Sequence, residues 1–270
     1  MLALDDRTFR GFADLMHRAA GLSFAEHKRP LLASRLGPRI QKLGLESFAA
    51  YLALLNRDAR GAEMQVALDL LTTNETYFFR EPAHFALLER ELGATRPRQL
   101  RVWSAACSFG DEAYSVAMLL ADLQRRGGLG DDWSILGTDI SDRVLQAASS
   151  AVFPEERLRD VSLERRRRYC LRGEGDAVGL VQVAPQLRSR LRFGWLNLTR
   201  PIEDLGPFDV VFLRNVLIYF DPDTKVEVVD RVLSQLRPGG LFFLGTAEGR
   251  IPCRTPLETL AAGAFRKAGD

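Results

Sequence analysis

The chain is poor in the residues that staple a fold or hold a metal. Its three cysteines, Cys107, Cys170 and Cys253, follow neither disulfide-framework nor metal-site spacing, and are read as reduced thiols. Histidine is as scarce: His17, His27 and His84 are not spaced as ligand pairs, so no metal site is expected. The longest apolar runs, such as 209–213 and 241–244, are strand-sized and far short of a membrane span. Asp5 and Asp6 stand near the start without an apolar signal core, which argues against export and for a cytoplasmic protein. Internal repeats and low-complexity linkers are also missing. The net charge of +2 says little about partners, but it is unevenly spread. Between Glu26 and Glu46 there is no acid, yet Lys28, Arg29, Arg35, Arg39 and Lys42 are there, and 165–168 is an unbroken run of arginines.

What is present fits a globular protein: 270 residues, 46% hydrophobic and 27% charged, enough for one large α/β domain with a smaller one attached. Residues 1–70 read as a helical domain. Phe9, Phe12, Leu15 and Met16 mark one helical face, Leu31, Leu32, Leu36, Ile40 and Leu43 another, and Phe48, Tyr51, Leu52 and Leu55 a third. Pro30 suits a helix start, whereas Pro38 should kink or restart the helix containing it. A linker over 71–85 leads into a second domain, 86–270, where strands at 100–104, 134–138, 191–195, 209–213 and 241–245 alternate with helices at 111–126, 141–148 and 223–236. That alternation predicts a Rossmann-like parallel α/β sheet. Pro238-Gly239-Gly240 reads as the stop of the last helix. Residues 169–185 interrupt the alternation with a glycine-punctuated hairpin pattern, expected to form an inserted antiparallel β-subdomain.

The first strand runs through Ser104, Ala105, Ala106 and Cys107 to Gly110 and straight into a helix. Small residues let a backbone approach a ligand, and the helix start offers free amide donors. A dinucleotide turn would carry three glycines, and here only Gly110 stands; a tight connection with no ligand fits this segment equally well. The second strand ends at Asp139, where a carboxylate can accept both hydroxyls of a ribose. A helix-capping role for Asp139 competes, but Ser141 can fill it. Together the two strand ends point to a nucleoside cofactor without saying which.

Three longer segments go further: 71–85 (LTTNETYFFREPAHF), 101–118 (RVWSAACSFGDEAYSVAM) and 208–221 (FDVVFLRNVLIYFD). They closely resemble the chemotaxis receptor glutamate methyltransferases, the CheR family, and the resemblance extends over most of the chain. It implies a class I methyltransferase domain with a small β-insert, preceded by a helical domain. It also implies S-adenosyl-L-methionine as cofactor, S-adenosyl-L-homocysteine as product, and a receptor glutamate as acceptor. It carries cofactor contacts to Asn74, Thr76 and Arg80, to Ala105 and Glu112 around the turn, to Asp139 on the ribose, to Asn197 and Leu198 near the adenine, and to Arg214 and Asn215. Arg80 and Tyr219 are implied nearest the transferred methyl and are the catalytic candidates. Arg80 brings a permanent charge and Tyr219 an aromatic face for a sulfonium; the competing role for Tyr219 is a core aromatic beside Phe220. The turn departs from the family pattern at Phe109, expected to narrow the cofactor's access, at Asp111 and at Ala113.

A glutamate carboxylate, with a pKa of about 4.3, is already ionised at neutral pH. It needs no general base, so the lack of a candidate catalytic histidine is expected. Nucleic-acid amino-methylation commonly uses an Asn/Asp-Pro-Pro-aromatic motif after the fourth strand; Arg214-Asn215-Val216-Leu217 occupies that place, so no nucleic-acid substrate is expected. The reading from a different class is a non-catalytic S-adenosylmethionine-binding sensor or scaffold, against which Arg80, Asp139 and Tyr219 stand together. The expected partner is the cytoplasmic domain of methyl-accepting chemoreceptors, met by a monomer that does not insert into the membrane.

Two surfaces are candidates for receptor contact. Arg35, Arg39 and Lys42 share a helix face, which in the family faces the acidic methylatable part of the receptor; a solvated charged face is the plain alternative. In the hairpin, Gly173, Gly175 and Gly179 punctuate a loop whose length, with Arg172, matches family members that bind the receptor's C-terminal tail peptide. Gln182 stands where those members carry a second arginine.

Overall fold

The computed structural model describes residues 2–59, 61–203, 205–249 and 251–269. Four helices come first: α1 (Asp6–Ala20), α2 (Arg29–Lys42), α3 (Phe48–Arg57) and α4 (Ala62–Leu71). Asp5 caps α1 by accepting the Thr8 N–H, and Gly21 ends it in the left-handed region at φ 69°. Ser47 caps α3 in the same way. Pro30 sits in the first turn of α2, but Pro38 does not restart it: the helix continues unbroken to Lys42. Pro38 and Ser34 are both exposed, so the carbonyl that loses its N–H partner is solvated.

The second part runs α5 (Pro82–Thr95), β1 (Gln99–Ser104), α6 (Asp111–Arg125), β2 (Asp132–Asp139), α7 (Asp142–Ser150), β3 (Val152–Pro154), α8 (Leu163–Tyr169), β4 (Cys170–Arg172), β5 (Leu180–Val183), α9 (Pro185–Arg188), β6 (Leu191–Trp195), β7 (Phe208–Leu213), α10 (Pro222–Ser234), β8 (Leu236–Leu244), β9 (Leu257–Ala261) and β10 (Ala264–Lys267). The large sheet has the order β6-β2-β1-β7-β8-β10-β9. Its first five strands are parallel, and β10 and β9 complete it antiparallel. The chain order reverses at β1, which lies between β2 and β7, and this leaves a crevice at the carboxyl ends of those strands.

Side chains alternate across the sheet and define two cores. Trp103, Val211, Leu213 and Phe242 pack with the N-terminal helices through Phe12, Leu36, Tyr51 and Leu68, and with α10. Val102, Val210, Phe212 and Phe243 pack on the other side with α5 and α6. The helical domain is thus one of the two layers over the sheet.

The five sequence-read strands are all present, but several elements were not read. These are α5, which begins inside the expected linker, the short helices α8 and α9, the β9–β10 hairpin at the sheet edge, and β3. The expected helix stop at Pro238-Gly239-Gly240 is also corrected. α10 ends at Ser234, where Gln235 turns the chain and its side-chain oxygen accepts the Leu205 and Gly206 N–H groups. The three residues instead lie within β8, where the pairing with β7 jumps from Phe208↔Leu236 to Val210↔Leu241. The small sheet has the order β3-β5-β4, so the read hairpin gains a third strand from upstream. Gly175 and Gly179 adopt φ 57° and 85°. Gly173 instead permits a close approach, since a Cβ there would lie 2.0 Å from the Ala177 carbonyl oxygen.

Candidate active site

The crevice at the end of β1 is built by a network that shapes the turn. Trp103 donates its indole N–H to Thr138 Oγ1 at 2.9 Å, and the Cys107 N–H reaches the Thr138 carbonyl at 2.9 Å. Gly110 turns at φ 91°, where a Cβ would press on Ala148 at 3.0 Å, and α6 starts there. Phe109 leaves the crevice: Arg157 and Arg143 lie over its ring at 4.4 and 5.4 Å, so it does not narrow cofactor access as expected.

Asp139 closes β2 nearly buried, at 8% exposure. One carboxylate oxygen accepts the Ser108 N–H at 2.9 Å and the other the Ser141 N–H at 3.0 Å, while the Ser141 side chain caps α7. Burial pushes the Asp139 carboxyl up, and those amides work against it. Glu112, in the first turn of α6, accepts from Ser104 Oγ at 2.6 Å and from Arg214 Nη1 at 2.9 Å. Arg214 is buried at the end of β7; its Nη2 donates to the Arg80 carbonyl at 2.5 Å, and its Nε has no partner among the described residues. Asn215 follows at φ 59°, held by Glu248, which accepts the N–H groups of Gly245, Asn215 and Leu217.

One cleft brings together Asn74, Thr76, Arg80, Ala105, Glu112, Asp139, Asn197, Leu198, Arg214, Asn215 and Tyr219, every residue singled out for cofactor or catalysis. About 1220 Å³ of space lies within it, its open mouth included. A buried carboxylate at a strand end, a small-residue turn on a helix start, apolar walls at Ile140, Leu196 and Leu198, and buried Arg214 with an unpartnered N–H form a donor set that fits a nucleoside bearing an amino-acid tail. Residues 74–259 match the CheR methyltransferase SAM binding domain, and residues 7–72 its all-alpha domain.

The chain belongs to the CheR methyltransferase family.

Its relatives agree over nearly the full length. The "Chemotaxis protein methyltransferase" of Escherichia coli K12 is 41% identical over 248 residues, covering 92% of this chain and 86% of that protein. Its namesake from Klebsiella aerogenes is 42% identical, covering 92% and 84%. "Chemotaxis protein methyltransferase 2" of Pseudomonas aeruginosa is 40% identical, covering 90% and 86%. The chain is therefore an S-adenosylmethionine-dependent methyltransferase of class I fold with an all-alpha N-terminal domain. Among the described residues no helix is long and apolar enough to cross a membrane.

The helical domain supplies a wall of the cleft that sequence reading missed: Ala20, Leu22, Ser23, Phe24, Lys28 and Leu31 all line it. Asn197 donates from Nδ2 to the Ala19 carbonyl at 2.8 Å, and the Ser23 N–H reaches the Tyr219 carbonyl at 2.9 Å. The side chain of Asn197 is thus committed to the domain junction. No local pattern announces these positions, because they become cleft walls only when the two domains dock. Glu81 and Glu248, which hold the loops around Arg214 and Asn215, were also missed.

The receptor candidates lie apart from these groups. Arg35 donates to the Leu71 carbonyl at 2.8 Å and to Thr73 Oγ1 at 2.9 Å, bracing the segment that carries Asn74. Arg39 is engaged with Glu63, so of that stripe Lys42 alone is exposed and without a side-chain partner among the described residues. The arginine run is mostly spent on packing: Arg165 and Arg168 both bond Asp122, at 2.8 and 3.1 Å. Arg172 is exposed on the small sheet, 4.0 Å from Glu155.

Proposed function

We propose that this CheR enzyme methylates glutamate side chains on the cytoplasmic domains of methyl-accepting chemoreceptors. The observation that carries the reading is the convergence of Arg80 and Tyr219 on the cofactor cleft while, among the described residues, no histidine lines it. That lining suits an acceptor already ionised at neutral pH, which needs no base. Asp139 would hold the ribose, Leu198 the adenine side, and Asn74, Thr76, Ala105, Glu112, Arg214 and Asn215 the remainder of the cofactor. When bound, S-adenosylmethionine supplies an electrophilic methyl group on a sulfonium. Arg80 would orient the incoming carboxylate through its permanent charge, and Tyr219 would face the sulfonium with its ring. Charge is annihilated as anion and cation become ester and thioether, so the enclosed, partly apolar walls favour the reaction more than an oxyanion hole would.

The enzyme would act as a cytoplasmic monomer in sensory adaptation, contacting the receptor through Arg35, Arg39 and Lys42. It would contact the receptor's C-terminal tail through Arg172 and the loop of Gly173, Gly175 and Gly179. Leu171, on edge strand β4, is exposed, and its unpaired backbone edge supports strand addition by such a peptide. The test is transfer of labelled methyl to isolated receptor cytoplasmic domains. A glutamate ester releases volatile methanol in alkali. Label that survives alkali, or no transfer to any receptor of the source organism, refutes the reading.

A further inference from the structure

Behind the groups that line the cleft stands Glu81, outside the lining itself and with no role assigned above. Arg214 uses Nη1 on Glu112 and Nη2 on the Arg80 carbonyl, and Nη2 also lies 3.3 Å from Glu81 Oε2. Glu81 therefore supplies the second counter-charge. The same carboxylate accepts the Thr246 N–H at 3.1 Å and the Asn215 side-chain N–H at 3.4 Å, with His84 Nδ1 3.4 Å away. Glu81 thus gathers three segments: its own, the loop after β7, and the loop after β8.

The backbone marks the same place. Phe79 and Glu81 lie at φ 57° and 59°, and Asn215 at 59°, a region costly for side chains with a Cβ, glutamate and phenylalanine more than asparagine. Both jaws of the cleft bend through this conformation where Glu81 and Asn215 meet. One jaw carries Arg80; the other carries Tyr219. Strain of this kind persists where surrounding bonds over-determine it, and here Glu81 makes those bonds.

We propose that Glu81 is a positioning residue for methyl transfer: through Arg214 and Asn215 its carboxylate locks the jaw bearing Arg80 to the jaw bearing Tyr219 and aims Glu112 into the cleft. Arg214 is then a clamp held from behind, with its Nη atoms spent on protein. The proposal rests on the methyl-transfer reading for its rate prediction, but its binding prediction stands on the cofactor site alone.

The test compares Glu81→Asp with Glu81→Asn. Both side chains tolerate the left-handed backbone and have the same size, so they differ in charge and not in strain. The Asp variant should bind S-adenosylhomocysteine within about threefold of wild type, whereas the Asn variant should lose about tenfold or more. At saturating cofactor and receptor domain, the Asn variant should also lose about tenfold in kcat with the receptor KM unchanged. A merely structural role would lower the melting temperature and leave that split unmoved. Equal S-adenosylhomocysteine affinities in the two variants overturn the proposal. If the Asn variant does not fold, Glu81→Gln against wild type gives the same readout, and unchanged affinity there overturns it. If the wild type transfers no methyl to receptor domains, the glutamate reading fails while the affinity comparison still decides the clamp.

Discussion

Arg39 reaches Glu63 through two parallel hydrogen bonds, Nε to Oε1 at 2.9 Å and Nη2 to Oε2 at 2.5 Å, tying α2 to α4. Tyr51 on α3 donates to the same carboxylate at 2.7 Å, so three helices share one anion, and the Arg39 guanidinium holds Glu63 below the usual carboxylate range. Arg39→Glu should therefore destabilise the helical domain, by about 2–3 kcal/mol, before it says anything about receptors. Lys42→Glu should leave the melting temperature unchanged. If α2 meets an acidic receptor surface, it should slow methylation at low salt, with the difference shrinking as salt rises. Thermal unfolding and kinetics of both variants separate the roles; unaltered low-salt kinetics in Lys42→Glu would remove Lys42 from the receptor surface.

Asp139 accepts two backbone amides as well as facing the cleft, so Asp139→Ala would loosen the turn along with the ligand. Asp139→Asn keeps an acceptor and removes the charge. It should weaken S-adenosylhomocysteine binding by about 1.5–3 kcal/mol while the protein stays folded. Calorimetry reads this, and unchanged affinity would mean that the carboxylate serves the turn alone.

Asp111 is fully buried with one oxygen unpaired among the described residues; burial pushes its carboxyl up to about 6 despite Arg157 at 3.2 Å. A raised acid binds its proton more tightly in the folded state, so between its unfolded pKa near 3.8 and about 6 this group makes stability fall as pH rises. The loss amounts to roughly 2–3 kcal/mol across that window. Asp111→Asn should abolish it, so the variant should gain on wild type from pH 4 to pH 7 in denaturant unfolding. A pH-independent difference between the two proteins would contradict the assignment.

For the small sheet, a receptor-tail peptide should bind with micromolar-scale affinity, about −8 kcal/mol. Gln182 sits on the central strand β5 opposite Leu171 of β4, one register step from Arg172, which pairs with Val181. Gln182→Arg should tighten the peptide, and Arg172→Glu should abolish binding without changing S-adenosylhomocysteine affinity. Failure of every native tail to bind would place this enzyme among those that work without tethering.

The parallel sheet was readable because its strands are short apolar runs that alternate with helices, and Asp139 because an acid ends one of them. The cleft was readable through three segments whose wording carries a resemblance; without it, Arg80 and Tyr219 are an arginine in a loop and an aromatic beside Phe220. The β9–β10 hairpin was missed because Leu257–Ala261 is largely exposed at a sheet edge and shows no strict alternation. Pro38 misled because proline's effect depends on whether the orphaned carbonyl meets water, which a sequence does not state. Arg35 and Arg39 read as a free cationic face because their partners, the Leu71 carbonyl and Glu63, come from a different helix.

The ties between the helical domain and the cleft are of two kinds. His17 meets Asp221, Arg35 meets Thr73 and Gln65 meets the Ile140 carbonyl through side chains, whereas Asn197 bonds the carbonyl of Ala19, Arg200 that of Arg18, and Tyr219 offers its carbonyl to the N–H of Ser23, so on the helical side these last three bonds use main chain. Such bonds carry no side-chain code. Gly21 is fixed by space as well, since a Cβ there would strike Thr199 at 2.6 Å. A graft of a relative's helices would therefore have to keep that glycine together with His17, Arg35 and Gln65, whose side chains seat the helical domain against the cleft.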